Sequence, residues 1–499
     1  MKLKRFFTLA LALCMIAGLL AGCGDKSNDP GTTEKDTLNV ALTDEPDYLS
    51  TCDTDSLMCA QMNLLTYNGL TRIDMKTLQP ELDLAESYSQ DSDTEWTFVL
   101  KQGVTFHNGD TLTAEDVKAS IEYAKSYDRT STYTSAISEV QVVDDNTVKI
   151  ITSAPAPNLL FDLAYHFNCI LPHSLIESGN DFNANPVGTG PYKFVSWDKG
   201  NALKFEANEA YFDAERTPSI KNLVFSIIPE GTTRTMALES GDVDFIYSVS
   251  STDIDRLKAE DGIDMEEVVS VENFFLYLNS VNGPFVDSNL RLAVAYAINR
   301  EDIVAGALNG YGEPSYSCVP MGYAESVDTN AYSYDLDKAK EYLAAWGGDP
   351  STVTMNIICS NDTKTAIATI MQSELAELGI NVVIDSTDSA TYQAAMATDT
   401  LSAAIVSWSP ANAASYVSRF HSPASVATDK MDELVSELRV EMDANARTDL
   451  IHQIIGEANA TCWYVPIYQV EYFRAHSSQL QNVVCSATGY VDFAVATWG

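Results

Sequence analysis

The stretch DTEWTFVLKQGVTFHNGDTLTAEDVKAS (residues 93–120) predicts a strand, a tight turn and the start of a helix, in that order. Residues 97–100 are rich in β-branched and aromatic side chains, which favours a short strand. Residues 107–110 (HNGD) contain an Asn-Gly pair, which tolerates the positive φ that a tight reversal needs. Thr113 and Asp116 have the spacing of a helix capping box, with Asp in place of the usual Glu. Together these signals indicate an α/β unit.

The residue order of this stretch also resembles that of a known family. The run E-W-T-F-x-L-x-x-G-V-x-F-H-x-G-x-x-L-T-A-E-D-V-x-x-S is similar to the fingerprint of peptide- and nickel-type solute-binding proteins of ATP-driven importers. PVGTGPY (residues 186–192) and R-x-A-x-x-Y-A-I-N-R (residues 291–300) resemble two further landmarks of that family. Landmarks of this kind extend from about residue 38 to 466, so the resemblance covers nearly the whole mature chain.

The resemblance implies a fold class and a division of the chain. The expected fold is α/β and two-lobed, like a periplasmic binding protein of type II, cluster C, with a subdomain inserted in the first lobe. We assign residues 37–60, 186–272 and 465–499 to lobe I, residues 61–185 to the insert and residues 273–464 to lobe II. Helix and strand patterns alternate from residue 335 onward, which predicts a mostly parallel sheet in lobe II.

Length and charge agree with such a protein. A chain of 499 residues is too long for one ordinary core, so two or three structural units are expected. The net charge of −40 and the pI near 4.2 argue against binding to nucleic acid or to an anionic membrane surface. We therefore expect no nucleic-acid partner, and the resemblance implies a monomer that binds a small solute.

The first 22 residues read as a lipoprotein signal peptide. A basic start is followed by an apolar run at residues 6–20, which is short for a membrane span. The sequence LAGC at residues 20–23 resembles a bacterial lipobox, which makes Cys23 the lipidated N-terminus; an uncleaved anchor helix is the alternative. Residues 23–36 form a polar, flexible stalk. The expected location is the extracytoplasmic face of the cell membrane, with a Gram-positive type of cell surface.

Cysteine usage leaves disulfide formation open. Beyond Cys14 in the leader and Cys23, seven cysteines remain: Cys52, Cys59, Cys169, Cys318, Cys359, Cys462 and Cys485. Their spacing matches no zinc or redox motif. Export permits disulfides, and Cys52–Cys59 and Cys462–Cys485 are the pairs we consider, against the alternative of buried thiols.

The best candidate ligand site follows a predicted buried strand. Trp408, Ser409 and Asn412 lie in the loop that matches the family's Gly-Trp loop, where α/β folds place ligand contacts. Relatives of the peptide-binding type carry an Asp three residues after the Trp, for the ligand's α-ammonium. This chain has Ala411 there and no carboxylate in residues 406–420, so we do not expect the usual grip on a free N-terminus. Position alone adds four weaker candidates: Tyr48, Tyr247, Asn279 and Tyr416. Arg419 is a candidate for an anionic ligand group, with a surface ion pair as the alternative.

No enzyme motif, cofactor site or metal-ligand spacing occurs in the sequence. The resemblance implies a binding protein, most simply for an oligopeptide that it delivers to a membrane permease and its ATPase subunits. The alternatives are a nickel-chelate or other small-solute binder, with His421 as the suggested ligand near Trp408, and a peptide sensor without uptake. An enzyme on the same fold is a further alternative. His107 and the glycine turn at residues 186–192 are interpreted as structural, against direct ligand contact by the turn.

Overall fold

The computed structural model describes residues 35–53, 56–396, 398, 401–410, 412–418, 428–462 and 464–499. The predicted signal peptide, Cys23, the stalk up to residue 34, Ala411, Arg419 and His421 lie outside these residues. Within them, no helix is both long and apolar enough to cross a membrane.

The strands and helices follow each other along the whole described chain. The strands are β1 Thr37–Leu42, β2 Thr71–Ile73, β3 Pro80–Leu82, β4 Ala85–Ser92, β5 Glu95–Leu100, β6 Ile137–Asp144, β7 Thr147–Thr152, β8 Tyr192–Asp198, β9 Ala202–Ala207, β10 Asn222–Ile227, β11 Phe245–Ile246, β12 Ile263–Leu278, β13 Glu313–Pro314, β14 Thr354–Cys359, β15 Asn381–Ser386, β16 Ala403–Trp408, β17 Tyr464–Ser477, β18 Leu480–Gln481, β19 Val484–Cys485, β20 Val491–Asp492 and β21 Thr497–Trp498. The α-helices are α1 Leu57–Thr66, α2 Ala114–Lys125, α3 Ser131–Thr134, α4 Leu159–Leu163, α5 His173–Glu177, α6 Gly231–Ser240, α7 Ile254–Lys258, α8 Ser288–Ala297, α9 Arg300–Ala307, α10 Leu336–Trp346, α11 Asp362–Ala376, α12 Ser389–Met396, α13 Ala413–Ser418, α14 Asp429–Leu438 and α15 Ala444–Thr461. Short 3₁₀ turns occupy Asp128–Thr130, His166–Asn168, Pro284–Val286 and Pro350–Thr352.

The stretch at residues 93–120 folds as its sequence predicts. It contains β5, a turn with Gly109 at φ 91°, and the start of α2. The Asp116 carboxylate accepts hydrogen bonds from the backbone N–H (2.7 Å) and the hydroxyl (2.8 Å) of Thr113. The predicted cap therefore forms, because the carboxylate satisfies a backbone donor at the helix entrance.

The insert has a sheet and an apolar core of its own. The four strands of this sheet pair in the order β4-β5-β7-β6, all antiparallel. Helix α2 packs on this sheet through Val117 and Ile121, both fully buried in a cluster with Phe98 and Ile150. The residues that we assign to the insert thus include a separate antiparallel sheet covered by a helix.

A large mixed sheet runs through the rest of the described chain. Its strand order is β15-β14-β16-β12-β17-β11-β1-β10-β9-β8, with β13 paired to β17. The prediction of a mostly parallel sheet in lobe II is correct for β14, which pairs parallel with β15 and β16. It is wrong for β12, which pairs antiparallel with both β16 and β17. The reason is that β12 and β17 enter from lobe I as long strands, without the helical crossover that makes neighbours parallel.

Strands β12 and β17 are the connection between the two lobes. They pair from Ile263↔Ser477 to Tyr277↔Tyr464, with an irregularity in the register between Val269 and Asn273. Such irregularities locally interrupt the hydrogen-bond ladder and bend a strand.

The glycine turn at residues 186–192 is packed against the end of α1. A Cβ at Gly188 would lie 2.1 Å from the Thr66 carbonyl oxygen, and one at Gly190 would lie 2.4 Å from that of Leu65. Thr189 donates its hydroxyl hydrogen to Asn68 Oδ1 at 2.9 Å. Only glycine permits this close approach of two backbones, which agrees with the structural interpretation of the turn.

His107 connects the insert to this turn through hydrogen bonds. Its backbone N–H donates to the Gly188 carbonyl at 2.8 Å, and its Nε2 lies 2.9 Å from the Gly190 carbonyl oxygen. Because a carbonyl can only accept, Nε2 carries the hydrogen. Nδ1 lies 3.5 Å from the Gly188 N–H and accepts from it in the neutral ring. Burial lowers the pKa of His107 from 6.5 to about 4.

We expect the His107→Gln variant to lose the part of the acid sensitivity that His107 causes. The unfolded chain protonates this histidine below pH 6.5 and the folded chain only near pH 4, so the unfolded state gains stability as the pH falls through that window. Between pH 7 and pH 4.5 the wild type should lose about 2.5 kcal/mol more unfolding free energy than H107Q. Urea unfolding at both pH values measures this difference.

His173 provides the control of opposite sign. Its Nδ1 lies 2.7 Å from Asp116 Oδ1, and this hydrogen bond raises the pKa of His173. The contribution of His173 to stability is therefore present at low pH and is lost as the pH rises through its raised pKa. H173Q should weaken the protein more at pH 5 than at pH 8. If H107Q and H173Q shift with pH in the same direction, our assignment of His107 is wrong.

The seven cysteines from Cys52 to Cys485 are present as thiols. Neither Cys52–Cys59 nor Cys462–Cys485 forms a disulfide. Cys52, Cys59 and Cys462 are buried, and burial raises the pKa of Cys52 to about 11 and that of Cys462 to about 12. The expected alternative of buried, protonated thiols describes them, because a thiol of this kind behaves as a small apolar side chain.

Candidate functional site

A cavity of about 740 Å³ is lined by residues that we assign to lobe I, the insert and lobe II. Lobe I contributes α1 and the C-terminal segment around Tyr490, the insert contributes residues 72–76, and lobe II contributes residues 407–410. We call it the interlobe cavity. Its volume falls in the range of about 300–1,000 Å³ that is typical of small-molecule sites.

Trp408 is the last residue of β16, and the end of this strand places it in the cavity wall. That strand pairs with β12, with Trp408 opposite Asn273. The Trp408 ring packs against Phe275 (5.1 Å between ring centroids) and Tyr464 (4.5 Å), while the side chain remains half-buried and lines the cavity. It therefore belongs both to the lobe II core and to the cavity surface. Ser409 follows it in the same wall and is exposed.

The insert adds a second aromatic surface that the sequence did not reveal. Tyr133 and Tyr165 stack with their ring centroids 3.9 Å apart and their planes 6° from parallel. His166 continues the row at 4.5 Å from Tyr165, and all three residues line the interlobe cavity. Flat aromatic faces bind apolar and planar ligand groups well. These positions are far from Trp408 in the sequence, and no periodic pattern marks them.

Two arginines line the cavity and are paired with carboxylates. Arg72 Nε lies 2.6 Å from Glu81 Oε1, and Arg216 Nη1 lies 2.7 Å from Asp492 Oδ2. Although burial lowers the pKa of Arg72, the carboxylate of Asp83 and the hydrogen bond to Glu81 raise it above its ordinary value. Both guanidinium groups are therefore charged and held in place by neighbouring carboxylates.

Asp74 is a cavity-lining carboxylate of a different kind. It lies at the tip of the β2–β3 hairpin, and its Oδ1 accepts the backbone N–H groups of Thr77 (2.6 Å) and Lys76 (3.1 Å). The hydrogen bond from Thr77 lowers the pKa of Asp74, so the carboxylate is ionised at neutral pH. These hydrogen-bond donors are neutral, and the nearby Lys76 ammonium also lowers the pKa of Asp74. Glu81 and Asp492 differ in being ion-paired with arginines.

Tyr416 and Asn412, two of the other predicted site residues, support the Trp408 loop from behind. The Tyr416 hydroxyl donates to the Trp408 carbonyl at 2.5 Å and accepts from the Asn273 N–H at 3.3 Å. Asn412 Oδ1 accepts the Ser415 N–H at 2.8 Å at the start of α13. Neither residue lines the interlobe cavity, so both hold the loop in its shape.

The remaining predicted residues lie elsewhere. Asn279 donates to the Leu401 carbonyl and organises the turn after β12, and Tyr48 is 44% exposed outside both described cavities. Tyr247 donates to the Gly489 carbonyl at 2.6 Å and lines a neighbouring cavity of about 640 Å³. Of the residues that the sequence singled out, the structure brings Trp408 and Ser409 together at the interlobe cavity.

Comparisons with known proteins agree on one class. The family model described as "Bacterial extracellular solute-binding proteins, family 5 Middle" matches residues 79–426. The chain is 30% identical over 329 residues to the glutathione-binding protein GsiB of Pectobacterium atrosepticum, covering 64% of this chain and 63% of that protein. It is 28% identical over 421 residues to the oligopeptide-binding protein AppA of Bacillus subtilis, covering 77% and 76%.

A solved structure supports the fold independently. HbpA2 from Haemophilus parasuis superposes with a TM-score of 0.83 at 21% sequence identity, covering 93% of this chain and 100% of that one. At this identity the likeness concerns the fold alone. The two-lobed α/β architecture that the sequence predicted is therefore confirmed.

Proposed function

Because the chain belongs to family 5 of the bacterial extracellular solute-binding proteins, we propose that its interlobe cavity captures a short peptide. The proposal concerns the ligand; that the chain is a substrate-binding protein of an ABC transporter, and not an enzyme, follows from its family. The observation that carries it is the composition of the cavity wall, which combines aromatic surfaces with charges of both signs. A zwitterionic peptide with an apolar side chain matches such a wall.

Three of the proposed contacts have distinct roles. Trp408 on lobe II and the Tyr133–Tyr165 stack on the insert receive the ligand's apolar groups. Asp74 faces the α-ammonium, in place of the carboxylate that the Trp408 loop lacks. A buried ammonium without a counter-charge is costly, and Asp74 is the cavity carboxylate whose described hydrogen-bond partners are neutral. The choice of ligand class is supported by the name of one relative, an oligopeptide-binding protein, and by that of another, a glutathione-binding protein.

The Asp74→Asn variant should bind unmodified peptides about tenfold more weakly or worse, because a charge-assisted hydrogen bond is replaced by a neutral one. The asparagine oxygen can still accept the two turn N–H groups, so the hairpin is retained. Isothermal titration with a panel of tri- to pentapeptides, each with a free or an acetylated N-terminus, measures the effect. Acetylated peptides should bind the wild type and D74N equally.

Asp144→Asn is the matched control. Asp144 also accepts a backbone N–H of its own turn, from Asn146 at 2.9 Å, and lies in the insert outside the interlobe cavity. Its replacement should leave peptide affinity unchanged. Equal loss of affinity for free and acetylated peptides in D74N would contradict the role of Asp74 as the ammonium partner.

We also propose how the protein is held at its site of action. Its leader and the LAGC sequence support lipidation of Cys23 and a tether on the extracytoplasmic face of the membrane, of the Gram-positive type. From there the closed protein, acting as a monomer, delivers its ligand to the permease and ATPase subunits of its transporter. If the protein binds a nickel chelate instead, the peptide titration should show no binding. If it senses peptides without uptake, it should bind them while a transport assay shows no uptake.

A further inference from the structure

The hairpin of β2 and β3 reaches from the insert to lobe II. Its strands pair from Thr71↔Leu82 to Ile73↔Pro80, and its tip is closed by hydrogen bonds from the Asp74 N–H to the Gln79 carbonyl and from the Leu78 N–H to the Asp74 carbonyl, both 2.9 Å. Leu82 packs on the insert's own apolar cluster. The base of the hairpin is thus anchored in the insert.

The tip belongs to a different core. Leu78 is 2% exposed and is a member of the apolar cluster of lobe II, and Ile73 packs against that cluster from the edge. The other buried members of the cluster all come from residues 271–458, among them Tyr323, Tyr416 and Leu450. A side chain of the insert is therefore buried by lobe II and not by its own subdomain.

The backbone of Leu78 is in an unfavourable conformation. Its φ is 56°, in the left-handed region where a leucine is rarely found, because its Cβ approaches the backbone too closely. Asparagine and glycine adopt this conformation at lower cost. The left-handed backbone of Leu78 destabilises the hairpin tip, and the burial of the leucine side chain in lobe II offsets this cost.

A second contact joins the same two parts of the chain. Arg447 of α15 donates from Nη2 to Asn158 Oδ1 of the insert at 2.6 Å, while its Nη1 donates to the Leu438 and Glu441 carbonyls. Met442 packs against the apolar cluster of the insert. The α14–α15 end of lobe II and the insert therefore touch at two points, through polar and apolar side chains.

We propose that the hairpin at residues 71–82 is a closing arm, and that the insertion of Leu78 into lobe II completes the interlobe cavity. The arm supplies residues 72–76 and Glu81 to the cavity wall while Leu78 fixes it to lobe II, the lobe that carries Trp408. When the lobes separate about the β12–β17 connection, Leu78 passes into water. The burial of one leucine side chain thereby favours the closed state in which ligand contacts both lobes. The effect on ligand binding rests on the proposed function; the docking of the arm does not.

Leu78→Asn tests the arm without straining it, because asparagine accepts the left-handed backbone and cannot replace the apolar contact. Leu78→Ala is the second variant, and Val143→Asn is the control: Val143 is a 59% exposed side chain on β6 of the same insert. The measurements are the radius of gyration by small-angle X-ray scattering, amide hydrogen exchange across residues 71–82, and titration with the mixture of tri- to pentapeptides. All are made on the full mature chain.

We expect L78N and L78A to show a larger radius of gyration and faster exchange in the hairpin than V143N. Their peptide affinity should fall by about tenfold to hundredfold, because each variant loses the free energy of burying one leucine side chain. If both Leu78 variants remain as compact and as protected as V143N, the arm is refuted, whatever the peptides do. If they expand but neither they nor the wild type bind any peptide, the arm stands and the proposed peptide ligand is wrong. If the wild type and both variants bind peptides equally, the ligand stands and the coupling to the arm is wrong.

Discussion

Trp408→Ala should weaken peptide binding by about tenfold to hundredfold, which corresponds to about 1.5–3 kcal/mol for the apolar surface of one large side chain. The indole is the aromatic surface that lobe II presents to the interlobe cavity, at the end of β16. Its removal leaves the ligand with water on that side in the closed state. Isothermal titration with the same tri- to pentapeptide panel measures the change.

Two further variants separate this effect from a loss of stability. Trp408 also packs against Phe275 and Tyr464, so its truncation weakens lobe II as well. Trp408→Phe keeps an aromatic face and should retain most of the affinity. Trp346→Ala removes a tryptophan that packs on the other apolar cluster of lobe II, away from the cavity, and should lower the melting temperature without lowering the affinity. Unchanged affinity in W408A would assign Trp408 to the core alone.

Gly188→Ala should destabilise the folded protein by about 3 kcal/mol or more, which makes it the largest expected effect on stability. The added Cβ would lie 2.1 Å from the Thr66 carbonyl oxygen and 2.5 Å from the Tyr67 ring, so the turn and α1 must move apart. The same movement breaks the hydrogen bonds of His107 to Gly188 and Gly190. Urea unfolding at pH 7 gives the free energy.

Gly456→Ala is the control for the same chemical change. Gly456 is an exposed residue inside α15, and no atom lies within 4 Å of where its Cβ would be. Alanine favours a helix over glycine by up to about 1 kcal/mol, so this variant should be equally or more stable than the wild type. If G188A unfolds at the same urea concentration as G456A, the turn does not have the tight packing described here.

The sequence predicted those parts of the fold that depend on neighbours along the chain. The stretch at residues 93–120 and the alternation of α11, β15 and β16 follow from periodicity, caps and turn residues, all of which act over a few positions. The antiparallel pairing of β12 with β16 could not be predicted in this way. It depends on where two long strands cross between the lobes, and no local signal records that.

The candidate site likewise contains some residues that local sequence signals predicted and others that they did not. Trp408 and Ser409 were found because they follow a buried strand in a loop that resembles the family's. Asp74 and Tyr165 were missed because nothing local distinguishes a cavity carboxylate from a turn carboxylate, or a cavity tyrosine from a surface one. The hairpin tip at residues 74–79 has the sequence of a polar turn, and only its position against lobe II brings Asp74 to the cavity wall.

The central claim is that the interlobe cavity holds a short peptide between Trp408 and the insert. Native mass spectrometry of the mature protein, titrated with an equimolar mixture of tri- to pentapeptides, tests it most directly, with W408A and D74N measured in parallel. We expect one-to-one peptide adducts on the wild type that are reduced at least tenfold in both variants. Peptide adducts of equal intensity on all three proteins, or none on the wild type, would contradict it.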